Sequence, residues 1–183
     1  MSARRKRWVR RGLLALVVVA GAATAGIAYH QHCYPYGWSH CCDKFLILQL
    51  EEYADSHDGW YPRGEATPEG SLSLLYRRDN TLANLLRGKT VPMEVVRERL
   101  NGGELLTPET CGWHYVEGLR KGDDPALALF WDKAGLGHNG ERRASGARTV
   151  WFINCSSEEI PGERWDAFLA EQELLRGKLN RPR

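Results

Sequence analysis

The pattern of apolar positions divides the chain at about residue 30. From Gly12 to Tyr29 no side chain is charged, and Leu13-Leu14-Ala15-Leu16-Val17-Val18-Val19-Ala20 is an unbroken apolar run. Those 18 residues, wound as a helix, rise ~27 Å, close to the thickness of a bilayer's hydrocarbon. Beyond them the apolar residues recur at helical spacing. Ser39 is a good N-cap for a helix reaching about Ser56, with Cys42, Leu46, Leu50, Tyr53 and Ala54 on one face and Phe45 widening the stripe. Ser71–Arg87, closed by Gly88, and Pro92–Leu100, closed by Asn101-Gly102-Gly103, are predicted as two more helices.

The pattern then turns towards strands. Trp113-His114-Tyr115-Val116 and Ala126-Leu127-Ala128-Leu129-Phe130-Trp131 are short, aromatic-rich runs. Thr149-Val150-Trp151-Phe152-Ile153 is apolar throughout, which predicts a central strand. A glycine-punctuated loop, Gly135 to Gly146, separates the last two. Pro161–Arg176 reads as a closing helix with Trp165, Phe168, Leu169, Gln172 and Leu175 on one face and Gly177 as its C-cap. Helices followed by an antiparallel sheet predict an α+β domain.

Charge fixes the orientation of the apolar segment. The chain has 25 Lys and Arg against 23 Asp and Glu, yet residues 1–42 hold no acidic side chain and six basic ones: Arg4, Arg5, Lys6, Arg7, Arg10 and Arg11. These direct the N-terminus to the cytoplasm and residues 30–183 outside. The remainder, with 19 basic and 23 acidic side chains, would repel phosphates, so no nucleic-acid partner is expected. The expected organisation is a basic cytoplasmic tail (1–11), a transmembrane anchor or signal segment (12–29), a juxtamembrane connector (30–38) and an exported domain (39–183). Ala23-Thr24-Ala25 fits a small-x-small cleavage site, so a retained anchor and a cleaved signal are both open. Cys33 follows His32 rather than a small residue, unlike a lipoprotein cysteine. Pro35 and Gly37 end any continuous helix, while Tyr29, Tyr34, Tyr36 and Trp38 suit the membrane–water interface. A single-pass membrane protein, with the lipid bilayer as a partner, is the expected setting.

Export gives the five cysteines an oxidising compartment. Five is odd, so at most two bridges form within the chain. Cys111 and Cys155, each beside a strand, are the preferred pair; Cys33 and Cys42 are the other candidates, since the neighbours Cys41 and Cys42 point apart. His30, His32, Cys33, His40, Cys41 and Cys42 form a candidate zinc or copper cluster without a standard ligand spacing. Asp123, Asp124, Asp132 and Asn139, with Glu141, are candidate oxygen ligands for calcium. Cys111-Gly112-Trp113-His114 sets a thiol near a base, and His57-Asp58 an imidazole beside a carboxylate, but Asp58-Gly59 is first a turn. His138 is expected to steady its loop by hydrogen bonding. No serine-hydrolase elbow, zinc-protease or phosphate-loop motif occurs.

Tyr53-Ala54-Asp55-Ser56-His57-Asp58-Gly59-Trp60-Tyr61-Pro62, preceded by Cys42-Asp43-Lys44-Phe45-Leu46, resembles the end and the opening of the first helix in bacterial pilin-like proteins and type II secretion pseudopilins. Tyr115-Val116-Glu117-Gly118-Leu119, Asp124-Pro125-Ala126-Leu127-Ala128, His138-Asn139-Gly140 and Thr149-Val150-Trp151-Phe152 resemble that group's C-terminal half, with its His-x9-Asp-Gly motif. Together the similarities cover about residues 39–175. Asn154-Cys155 stands where that motif has Asp-Gly, Glu141 to Gly146 lengthen the loop, and a peptidase cut after Gly12 would leave Val17 at the fifth mature position in place of glutamate. The resemblance implies a pilin-like domain of helices on a small antiparallel sheet, a calcium in a comparable C-terminal loop, and a non-enzymatic accessory structural or binding subunit of the inner membrane with envelope proteins as partners. Val17 and the helix break at Pro35 argue against polymerisation. The alternative is a metal- or thiol-handling envelope protein using the His/Cys cluster.

Overall fold

A stretch without proline, apolar through its middle, makes α1 (Ala3–Cys33) the longest element, at 31 residues. The computed structural model describes residues 3–38, 43–78 and 82–179. α1 takes in part of the basic tail and the first residues of the predicted connector, and it stops two residues before Pro35, which disfavours helix in the residue preceding it. Its segment Arg10–Cys33 has 24 residues, and the most apolar window within it, of mean hydropathy 2.0, buries nothing against the rest of the chain. Among the described residues it is the one helix long and apolar enough to cross a membrane.

Five shorter helices and four strands complete an α+β domain. α2 (Asp43–Asp55) buries Leu46, Ile47, Leu50, Tyr53 and Ala54. Phe45, expected in that stripe, is exposed, and Ile47 takes its place. The single helix expected over Ser71–Arg87 is two: α3 (Pro68–Arg78) and the one-turn α4 (Ala83–Leu86). α3 begins earlier than expected because the Thr67 hydroxyl accepts the Gly70 N–H at 3.0 Å and Pro68 supplies a first-turn residue with no N–H to satisfy. α5 (Met93–Asn101) follows Pro92. The strands are β1 (Trp113–Tyr115), β2 (Ala128–Asp132), β3 (Arg148–Phe152) and β4 (Ser157–Ile160), antiparallel in the order β1-β2-β3-β4. A 3-10 turn, Gly162–Arg164, leads into α6 (Trp165–Gly177).

The sheet lies between two unequal layers. Trp113, Tyr115, Leu129, Phe130 and Trp151 pack with α2 to α5 in the main core. Ala128, Val150 and Ile160 pack under Trp165 and Phe168 of α6 on the other face. A bulge in β2 between Ala128 and Phe130 explains how Leu129 and Phe130 both reach the main core. Gln172 closes that irregularity: its side-chain amide accepts the Ala128 N–H at 2.8 Å and donates to the Ala126 carbonyl at 3.0 Å, as a neighbouring strand would. Gln172 is buried for that reason, as the apolar face of the predicted closing helix required.

β4 was not expected. Its hairpin turns at Asn154-Cys155, where Cys155 takes a left-handed φ of 61° and its N–H bonds Phe152 O at 3.0 Å. Asn154 Oδ1 accepts from both the N–H and the hydroxyl of Ser156. Asparagine here braces the turn with its own side chain, so the place where the resemblance has Asp-Gly is still a tight reversal.

The helical layer meets the sheet at one tight point. Gly88, at φ 55°, closes α4, and Gly112 lies directly against Arg87 and Gly88; a Cβ on Gly112 would sit 1.8 Å from Arg87 O. This approach lets Gly112 N–H bond Leu86 O at 2.9 Å and Trp113 Nε1–H bond Leu85 O at 2.7 Å. It also carries Lys89 to Asp132, the last residue of β2, where Nζ and Oδ2 pair at 2.7 Å with both side chains 3% exposed. The same carboxylate accepts the Thr149 N–H at 3.3 Å. Removing one partner strands a buried charge: Lys89→Met should cost about 3–5 kcal/mol in urea unfolding. Lys89→Met with Asp132→Asn, which keeps an acceptor for Thr149, should lose clearly less than the single Lys89 variant; an equal or larger loss would show that the pair itself is not what the junction needs.

Candidate binding site at the free end of the domain

The sheet has two ends with different neighbours. At one, the Arg142 N–H donates to Cys33 O at 2.7 Å and its Nε–H to His32 O at 3.2 Å, so the β2–β3 loop caps the end of α1. The other end, where β2 begins and β3 turns into β4, is free of α1 and gathers most of the chemically varied side chains.

The segment Tyr53–Pro62 builds this free end. Asp58 and Gly59 take φ of 53° and 80°, and the Gly59 N–H reaches back to Ala54 O at 2.9 Å, which ends α2. The chain then runs antiparallel to residues 119–121: Lys121 N–H donates to Gly59 O at 2.6 Å and Tyr61 N–H to Leu119 O at 3.3 Å, around a bridge between Trp60 and Arg120. Tyr115 donates its hydroxyl to Pro62 O at 2.8 Å. Glu51 and Asp55, four apart on α2, receive Lys121 Nζ at 2.9 and 2.6 Å, and the Tyr61 hydroxyl donates to Glu51. The pilin-like stretch is thus a clasp that ends a helix and fastens it to the loop before β2.

The ionisations follow from these contacts. Asp55 and then Glu51 hold the Lys121 ammonium well above the usual lysine range. Burial, then the Glu51 hydrogen bond, raises Tyr61. Burial also raises Tyr53, against the pull of Arg63.

An open cavity of about 300 Å³ lies over this clasp, lined by Tyr53, His57, Asp58, Trp60, Tyr61 and Arg63. The His57 ring stacks on Tyr53 with centroids 3.7 Å apart. Its Nδ1 lies 2.7 Å from Tyr53 O, a carbonyl that can only accept, so Nδ1 carries a proton and in the neutral ring Nε2 is the acceptor. The Arg63 guanidinium lies 3.6 Å from the Trp60 ring centroid. The cavity offers ring faces, a guanidinium and one imidazole acceptor, a set suited to holding a polar chain segment.

Comparison with protein-family models, with curated protein sequences and with solved structures gives no match. The pilin-like resemblance therefore enters the functional reading through its motifs alone.

The residues singled out in the sequence are mostly dispersed. Cys111 and Cys155 are free thiols, not a pair. β1 and β3 are both antiparallel to β2 and so run the same way; the residue before β1 and the residue after β3 lie at opposite ends of the sheet. Cys111 is buried with its thiol 3.7 Å from Leu86 O, and burial pushes its pKa up to about 12. It is a packing residue, bonded to a carbonyl rather than activated by His114. Burial, then Glu51, raises the Cys155 thiol. Cys33 is a half-buried free thiol, while Cys42, His40 and Cys41 lie outside the described residues. His30 stacks on Tyr34, His32 is exposed, and no group of metal-ligating side chains forms among the described residues.

The calcium set is divided by the length of β2. Asp123 Oδ2 accepts the Arg120 N–H and Asp124 Oδ1 the Ala126 N–H, both before the strand. Asp132 lies at its other end, committed to Lys89, and burial raises its pKa against the opposing pull of that lysine. Asn139 sits with exposed His138 in a small reversal where Asn139 N–H bonds Glu141. Glu51, Arg63 and Lys121 were missed; the spacing of Glu51 and Asp55 already put two carboxylates on one helix face.

His114, half-buried on β1, is held below 6.5 first by burial and then by Lys133 and Arg148, although the Glu69 carboxylate stands 3.9 Å from Nδ1. A lowered folded-state value means that its stabilising share is complete above pH 6.5 and is lost as pH falls below it. Thermal unfolding across that range should show a steeper acid loss for the unaltered chain than for His114→Gln; parallel curves would remove His114 as the cause.

Proposed function

We propose that the chain is a single-pass membrane protein whose α+β domain stands outside the cytoplasm as a non-enzymatic accessory subunit, structural or binding, of the kind its pilin-like motifs imply. The observation that carries this reading is the bare apolar flank of α1. Leu13, Leu14, Leu16, Val17, Val18 and Val19 are each 59–68% exposed, and burying each would gain about 1.5–3 kcal/mol. Among the described residues nothing covers them, and a bilayer would. The six basic residues ahead of the segment support an N-terminus in the cytoplasm.

The free end is then the face turned towards partners in the envelope. The cavity over Trp60, His57 and Arg63 supports a binding role, since ring faces and a guanidinium hold a peptide segment without chemistry being done on it. Val17, where the resemblance expects a buried glutamate, favours a tether over a polymer.

Intact mass of the protein from the membrane fraction, after alkaline washing, tests the reading. The full-length mass in the washed pellet, with the domain degraded by protease added to spheroplasts, is the expected result. A soluble product beginning at Gly26 would overturn the tether, and a mature chain beginning at Leu13 would restore the assembling-pilin alternative.

A further inference from the structure

The capping of α1 by Arg142 fixes more than a helix end. Arg10–Cys33 has 24 residues, and at 1.5 Å per residue it is ~36 Å long, longer than a hydrocarbon core of ~30 Å. Cys33 therefore emerges in the headgroup layer, and whatever bonds to its carbonyl is at the same depth. Arg142 does so through its backbone N–H, and its guanidinium reaches the carbonyl before it. The loop is braced at that depth on its other side as well. Gly162 N–H bonds Ser145 O at 3.0 Å, and Arg143 pairs with Glu159 of β4 at 2.8 Å.

The charge of the domain is arranged along the same axis. Residues 133–148 carry Lys133, Arg142, Arg143 and Arg148 against Glu141, and Glu159 of β4 neutralises Arg143. The opposite end carries Glu52, Asp55, Asp58, Glu117, Asp123 and Asp124 against Arg63 and Arg120, which lie over Trp60, and Lys121, which is drawn in between two carboxylates. Exposed Tyr36 and Trp38 follow α1 directly, where amphipathic rings settle at a membrane interface.

We propose that the β2–β3 loop, residues 133–148, is a docking surface for the anionic phospholipid headgroups of the bilayer that α1 crosses. The inference rests on the membrane-anchored reading above. Arg142, exposed beside the end of α1, meets the phosphates, while Arg143 stays with Glu159 and Thr149 and holds the loop in shape. The loop lies flat in the headgroup layer, and the acidic free end is held away from the surface. The domain is then oriented on its anchor rather than swinging from the connector. A phosphate-rich surface suits this loop because each arginine near an anionic membrane contributes ~1 kcal/mol, while the acidic end is repelled.

The test uses the full chain in nanodiscs of equimolar phosphatidylglycerol and phosphatidylcholine, with the photo-cross-linker p-benzoylphenylalanine at position 144 or at position 156. Both sites are exposed, Ala144 in the loop and Ser156 at the free end. Irradiation should give lipid adducts at 144 and none at 156, read by intact mass. Adducts at 144 should favour phosphatidylglycerol by at least about threefold, and the preference should fall towards parity at high salt and in Arg142→Gln, which leaves the Arg143–Glu159 brace in place. A chain that incorporates into nanodiscs yet gives no adduct at 144, or equal adducts at both sites, would overturn the docking surface and leave the anchor standing. Adducts at 144 without lipid preference would overturn the anionic partner. A chain that does not incorporate at all overturns the anchored reading and this inference with it.

Discussion

The junction of Gly88, Lys89, Gly112 and Asp132 is the constraint on which the domain depends. Two glycine backbones meet where no Cβ fits, and that contact brings a lysine and an aspartate together out of reach of water. Taking both charges out of water is costly, and their attraction, helped by the Thr149 N–H, offsets the cost only when the geometry is held. The pair therefore acts as a check on assembly. α4 must be closed, β1 must lie against it and β2 must end at residue 132 before the two charges can meet. A chain collapsed with another register would leave one of them buried alone.

The sheet held in this way separates two environments. One face carries the main core with α2 to α5, and the other carries the smaller core under α6, with Gln172 completing the hydrogen bonding of an irregular β2. Across the length of the strands, the end that touches α1 is basic and glycine-punctuated, and the other is acidic and rich in aromatic rings. A four-stranded sheet between two helical layers is small, but it is enough to keep these ends apart. It also explains why residues close in the sequence, such as Asp124 and Asp132, serve different ends of the domain.

Much of the architecture was legible because it depends on local periodicity. Leu46, Leu50 and Tyr53 at helical spacing, the apolar run around Val150 and the face from Trp165 to Gln172 each mark an element whose burial follows from its own pattern. β4 was not legible, since Ser157-Glu158-Glu159-Ile160 is a polar edge strand with no apolar alternation, formed because the Asn154-Cys155 turn folds it back onto β3. The candidate site was less readable still. His57, Trp60 and Arg63 share a short segment, but the clasp beneath them needs Glu51 from one helix and Lys121 from a loop some seventy residues on.

The sequence by itself determined that one segment is bilayer-length, uncharged and preceded by basic residues, and that helices come before strands. Those properties are sums over neighbouring residues, and no partner is needed to evaluate them. Only the tertiary structure decided that Cys111 and Cys155 stay apart, that Asp132 answers a lysine rather than a cation, and that the β2–β3 loop meets the end of α1. Strand direction and layer order set each of these. Which end of a sheet a residue occupies is a property of the assembled register, and an aspartate reads the same in sequence whether a lysine or water awaits it.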